Sequence, residues 1–190
     1  EQWAFQKSQA EYNVFYNTSE NAINSVNPVN KRQKKAEKFC RKAKRKKQEC
    51  KGIWTPKSTS GGIENNKSVW LHAFRGNQYV YTEVAPFPEV QFEQLKIGGE
   101  WTSSLQILAG WDNFKGVVNS TYQVIGQVDY SNNNIQLRNC WEIHAIGKHS
   151  SLGESKHDFL FNRTNGFVQM SYEFYDGTKI SFSMVKVVFK

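Results

Sequence analysis

The sequence predicts an α+β protein: an N-terminal helical region containing a basic helix, followed by a C-terminal antiparallel β meander that forms a curved sheet or partial barrel. Three observations carry this expectation. Thirteen Phe, eight Tyr and six Trp in 190 residues, with Leu scarce, suit half-buried strands better than helix packing. Beyond residue 67, short alternating runs are separated by Pro, Gly and Asn clusters, the punctuation of successive strands. Ahead of them lies KRQKKAEKFCRKAKRKKQECK, Lys31–Lys51, with a narrow apolar stripe at helical spacing.

Within Trp3–Val26, the residues Tyr12, Phe15, Tyr16, Ile23 and Val26 fall near a helical stripe, and a first helix is expected there. Asn27-Pro28 then suits a helix start, since Asn caps the free N–H groups and Pro is tolerated at the first helical position. In the basic helix expected over 31–50, Ala36, Phe39, Cys40 and Ala43 sit at i, i+3, i+4 and i+7, and Cys50 continues the stripe. A continuous helix excludes a Cys40–Cys50 disulfide, because ten helical residues rise about 15 Å whereas bridged Cα atoms lie within about 7 Å. Both alternatives remain open. Residues 51–67, rich in Gly, Asn and Ser with Pro56, read as a linker between a 1–50 helical region and a 68–190 β domain.

Strand-like runs follow at Val69–Phe74, Tyr79–Val84, Trp101–Leu108, Val117–Val128, Ile135–Ile146 and Phe159–Phe161. The last hairpin can be derived in register. A two-residue Asp176-Gly177 loop would set the apolar residues of its two strands on opposite faces. A three-residue Tyr175-Asp176-Gly177 loop pairs Tyr172 with Ile180, Met170 with Phe182 and Val168 with Met184, and puts Gly177 at the left-handed position of a type I turn with a G1 bulge. The run Asn132-Asn133-Asn134 marks a second long hairpin.

Charge is concentrated in one place. Lys31–Lys51 holds twelve Lys or Arg against Glu37 and Glu49, a net +10; the rest of the chain carries thirteen basic and fifteen acidic residues. The basic character therefore belongs to one segment, and it points to an acidic protein partner or an anionic surface. Nucleic-acid binding is disfavoured, because no dimerising zipper and no interleaved aromatic set accompanies the charge. Phe39 alone is a poor apolar anchor for a membrane. No apolar run approaches the roughly 20 residues that span a bilayer. The start at Glu1 without Met fits either a mature exported form or a trimmed chain, and leaves an upstream lipid anchor open.

Candidate chemistry is sparse, and no cofactor is expected. His144, His149 and His157 with Glu142 invite a metal site, but their spacing matches no ligand motif, and loop histidines are the better reading for GKHSSLGESKH. His72 and Arg75 would point to opposite faces of a strand, so a buried His72 is favoured over a general base. Cys140 reads as an inert thiol. Trp101 and Trp111 could rim a pocket, although aromatic core filler accounts for them as well. The sequons at Asn17, Asn66, Asn119 and Asn162 read as accidental in an Asn- and Ser-rich chain.

Several phrases together, VWLHAFR at 69–75, APFPEV at 85–90, GGEWTSSLQI at 98–107 and GFVQMSYEFYDGTKISFSM at 166–184, resemble uncharacterised exported proteins and lipoproteins of Bacteroidota. The order of a W-x-x-x-L strand, a Y-x-V-x-G strand, a C-x-E-I strand and a final G-F-V-x-M-x-Y hairpin is similar to a wider group of periplasmic lipoprotein domains of unknown function. The resemblance covers roughly residues 69–188 and implies an envelope location and a β-rich fold. Trp70, Arg75, Pro86 and Pro88 match its pattern, but it supplies no catalytic residue.

The expected function is thus non-enzymatic extracytoplasmic binding. The candidate contact residues are Lys34, Lys35, Lys38, Arg41, Lys42, Arg45 and Lys46. The alternatives are an immunity or inhibitor protein against a secreted toxin, and an envelope enzyme or small-ligand carrier with a pocket in the β domain.

Overall fold

Period-two alternation of apolar and polar residues runs through most of the second half of the chain, and each such run becomes a strand. The computed structural model describes residues 8–17, 62–72, 80–108, 113–132 and 135–189. Its strands are β1 (Ser8–Asn17), β2 (Gly62–Glu64), β3 (Ser68–Leu71), β4 (Glu89–Gln91) and β5 (Glu100–Ile107), followed by β6 (Gly116–Ser131), β7 (Gln136–His149), β8 (Gly153–Asn162), β9 (Gly166–Glu173) and β10 (Lys179–Phe189). Seven of them form one antiparallel sheet in the order β1-β10-β9-β8-β7-β6-β5, a simple meander with β1 added at its far edge. The other three form a small antiparallel sheet, β2-β3-β4.

The α+β expectation is corrected: the described residues build two antiparallel sheets, with helical character confined to short 3-10 turns at Val80–Val84, Phe92–Gln94 and 113–114. Ser8–Asn17, placed in a helix by its aromatic spacing, is a strand paired with β10. Tyr12 and Tyr16 lie four residues apart, a separation that keeps two residues on one side in a helix and in a strand alike. The edge of β10 settles the choice by offering backbone partners along the whole segment, with Tyr12 opposite Met184, Val14 opposite Phe182 and Tyr16 opposite Ile180. Tyr79–Val84 is likewise corrected, since Val80–Val84 forms a 3-10 turn. Gly62–Glu64, within the expected linker, pairs with β3. The basic helix expected over 31–50 lies outside the described residues.

The two derived hairpins form. Tyr172 pairs with Ile180 and Met170 with Phe182. Gly177 N–H closes the turn on Phe174 O at 2.8 Å, with φ +82 at Gly177, the left-handed conformation that glycine adopts without strain. In the β6–β7 hairpin, Asn132 N–H bonds Ile135 O at 2.9 Å.

One core cluster spans both sheets, joining Val69, Leu71 and Val90 of the small sheet to Tyr122, Ile143, Phe159, Met170 and Phe182 of the large one. Burying each such side chain contributes roughly 1.5–3 kcal/mol. A bulge in β9 adjusts the packing. Phe161 pairs with Phe167 and Leu160 with Gln169, so Val168 is the extra residue. The extra residue keeps Phe167 against Phe159 and Phe161 in the main core while Val168 joins Tyr130, Cys140 and Met184 in a second cluster. Tyr130 Oη and Asn132 Nδ2 both donate to Met184 O, tying the far end of β6 to β10.

Candidate functional site

The sequence-derived contact residues Lys34, Lys35, Lys38, Arg41, Lys42, Arg45 and Lys46, together with Cys40 and Cys50, lie outside the described residues. The chemistry that the structure does assemble is a buried polar layer between the segment 82–91 and the inner face of the large sheet.

The layer starts from Ala85-Pro86-Phe87-Pro88. Two prolines remove two N–H donors and hold the backbone extended, leaving three successive carbonyls free to accept. All three are used. His157 Nδ1–H donates to Pro86 O at 2.9 Å, Tyr122 Oη–H donates to Phe87 O at 3.0 Å, and Leu71 N–H donates to Pro88 O at 2.9 Å. Gly147 makes the close approach feasible, because a Cβ there would stand 2.8 Å from Pro86 Cδ. The segment Ala85-Pro86-Phe87-Pro88 is thus a clip that fastens the small sheet to the large one.

His157 is fully buried on β8, its ring stacked on Tyr172 at a centroid distance of 3.8 Å and against Phe159 at 4.8 Å. The bond to Pro86 O fixes the proton on Nδ1, so Nε2 carries the lone pair, and no hydrogen-bond partner meets it among the described residues. Burial pushes the imidazole pKa down to about 3, only partly offset by the Pro86 carbonyl. Around it, burial raises the Tyr172 phenol well above its ordinary range, with Tyr122 and Glu83 adding to the effect. Burial likewise raises the Glu89 carboxyl, against hydrogen bonds from Gln91 and Ser103 that lower it. His157 and Tyr172 therefore stay neutral across the physiological range, which suits a structural layer better than a proton-transfer site.

The three histidines that a metal site would need are separated. His144 lies on the outer face, bonded through Nδ1 to Asp158. His149 closes the β7–β8 turn: its Nε2–H donates to Phe114 O at 3.0 Å, and its Nδ1 accepts from Ser151 N–H at 3.1 Å and Leu152 N–H at 3.2 Å. The reading of His149 and His157 as loop histidines is corrected, since both are buried strand residues. Among the described residues no group of three or more His, Cys, Asp or Glu could hold a metal ion.

On the outer face, register alone aligns Glu100, Gln123, His144, Asp158, Ser171 and Ser181 in one row across six strands. The row breaks into three pairs: Gln123 Nε2 donates to Glu100 Oε1 at 2.9 Å, His144 bonds Asp158, and the Ser171 and Ser181 hydroxyls lie 3.3 Å apart. Such pairs support a sheet by cross-strand contact. Among the described residues no hydroxyl or thiol bonds the second nitrogen of His144, so they supply no nucleophile to this pair.

Cys140 is fully buried, and burial raises its thiol pKa. Trp101 is buried and stacked on Tyr122 at 5.1 Å, and His72 packs near Phe87 at 5.5 Å beside Trp70. Arg75 and Trp111 lie outside the described residues. Sequence reasoning missed Glu83, Glu89 and Asp158 as site members. The signal that could have placed His157 on the core face is the alternation Ser155, His157, Phe159, Phe161.

No helix among the described residues is long and apolar enough to cross a membrane. No model of a known family matches the chain, nor does any curated protein or solved structure.

Proposed function

We propose that this chain is a non-enzymatic binding or accessory protein of the extracytoplasmic space, in which the β scaffold carries the Lys31–Lys51 segment to an acidic protein partner. The observation that carries the reading is charge segregation: +10 within twenty-one residues, on a chain otherwise balanced at −2. A dense local charge steers encounter and rejects like-charged partners, whereas a charge spread over the whole surface would not select one contact face. The buried polar layer supports the scaffold role, because the Tyr122 and His157 donors are spent on fastening the two sheets. The extracytoplasmic placement rests on the resemblance of the β-domain phrases.

The test is affinity capture from the native source at low and high salt, comparing the natural chain with a variant carrying Lys34→Gln, Lys38→Gln, Arg41→Gln and Arg45→Gln. An acidic protein held at low salt should be released at high salt and bind the variant roughly tenfold or more weakly. The same partner captured with unchanged affinity would sink the assignment.

A further inference from the structure

We infer that β5 is a self-association edge, on which a second copy of this chain pairs its own β5 antiparallel about a two-fold axis at Ser103. β5 ends the seven-stranded sheet, and among the described residues it pairs with β6 alone. Gly98, at φ +77, donates to Val124 O at 2.8 Å while Val124 N–H bonds Gly99 O at 2.9 Å, a G1-type bulge that sets the phase of the ladder. Counting by two from that point, Trp101, Ser103 and Leu105 exchange bonds with β6, and Thr102, Ser104 and Gln106 direct their N–H and C=O groups outward. The side chains of these three are exposed. Glu100–Ile107 contains no Lys, Arg or Pro, the residues that usually guard an open edge.

The strand is complementary to itself. With the axis at Ser103, Thr102 faces Ser104 of the second copy, Trp101 faces Leu105, and the strand's one charge, Glu100, faces Gln106. Polar meets polar, apolar meets apolar, and no like charges oppose. The ends fit as well. Ile97 and Leu108, 73% and 68% exposed, are the most exposed large apolar side chains among the described residues, and they flank β5 on either side. The same two-fold sets Leu108 of each copy beside Gly98 of the other, next to Ile97, so both are covered at once. The contact is isologous and closes at two copies, which excludes a growing fibre.

Sedimentation equilibrium and light scattering on the full chain should give a particle of twice the 22.0 kDa chain mass at high concentration. The double variant Thr102→Lys, Ser104→Lys sets lysine against lysine twice and should raise the dissociation constant roughly tenfold or more, with the circular dichroism of the sheet unchanged. Register is read by crosslinking in a Cys40→Ser, Cys50→Ser background. Ser103→Cys should oxidise to a covalent dimer, since facing residues of a non-hydrogen-bonded pair lie about 4.5 Å apart at Cα, whereas Ser104→Cys should not. A monomer at every concentration, a dimer indifferent to the lysine pair, or crosslinking through Ser104→Cys instead of Ser103→Cys overturns the inference.

Discussion

Acid should destabilise this fold through His157. In the folded chain the imidazole is buried, neutral and held to about 3, against 6.5 for the free side chain. Between those two values the unfolded chain binds a proton that the folded chain refuses. Stability is therefore fully present above pH 6.5 and is lost as pH falls from 6.5 towards 3. The slope from this one group approaches about 1.4 kcal/mol per pH unit, so moving from pH 7.5 to 4.5 should remove roughly 3 kcal/mol. The neighbouring phenol of Tyr172 stays neutral throughout, because burial raises its pKa. The informative perturbation is His157→Asn, which keeps a donor for Pro86 O while abolishing the titration; its lost ring volume lowers stability by an amount independent of pH. Urea unfolding of both proteins across the series should show the natural chain losing stability more steeply than the variant below pH 6.5. Parallel curves would refute the reasoning, since carboxylates common to both proteins cancel in the difference.

Two further predictions concern packing. Gly147→Ala would set a Cβ 2.8 Å from the Pro86 ring and 3.2 Å from Val118 Cγ1, and overpacking of this kind should cost about 1–3 kcal/mol in urea unfolding; an unchanged midpoint would mean the 85–88 segment shifts freely. In a Cys40→Ser, Cys50→Ser background, Cys140 should resist alkylation while folded and react on addition of denaturant, because it is fully buried with its thiol pKa raised. Mass spectrometry of the alkylated chain reads this directly, and rapid native labelling would place the thiol at the surface.

By itself the sequence determined the β6–β7 hairpin, the register of the last hairpin and the segregation of charge. Each is a local property. Alternation at period two needs only neighbouring residues, and the Tyr175-Asp176-Gly177 loop follows from matching Tyr172 to Ile180 and from a glycine at φ +82. The tertiary structure decided three things that no local pattern contains. It made Ser8–Asn17 a strand, because the i, i+4 spacing of Tyr12 and Tyr16 serves both periodicities and only the open edge of β10 distinguishes them. It set His144 and His157 on opposite faces, one paired with Asp158 at the surface and the other clipped to Pro86 in the core, because alternation separates two faces without saying which of them is covered. It also turned APFP into a fastener, since the carbonyls of Pro86 and Phe87 find their donors at His157 and Tyr122, on strands far along the chain, and backbone groups pair by proximity in space.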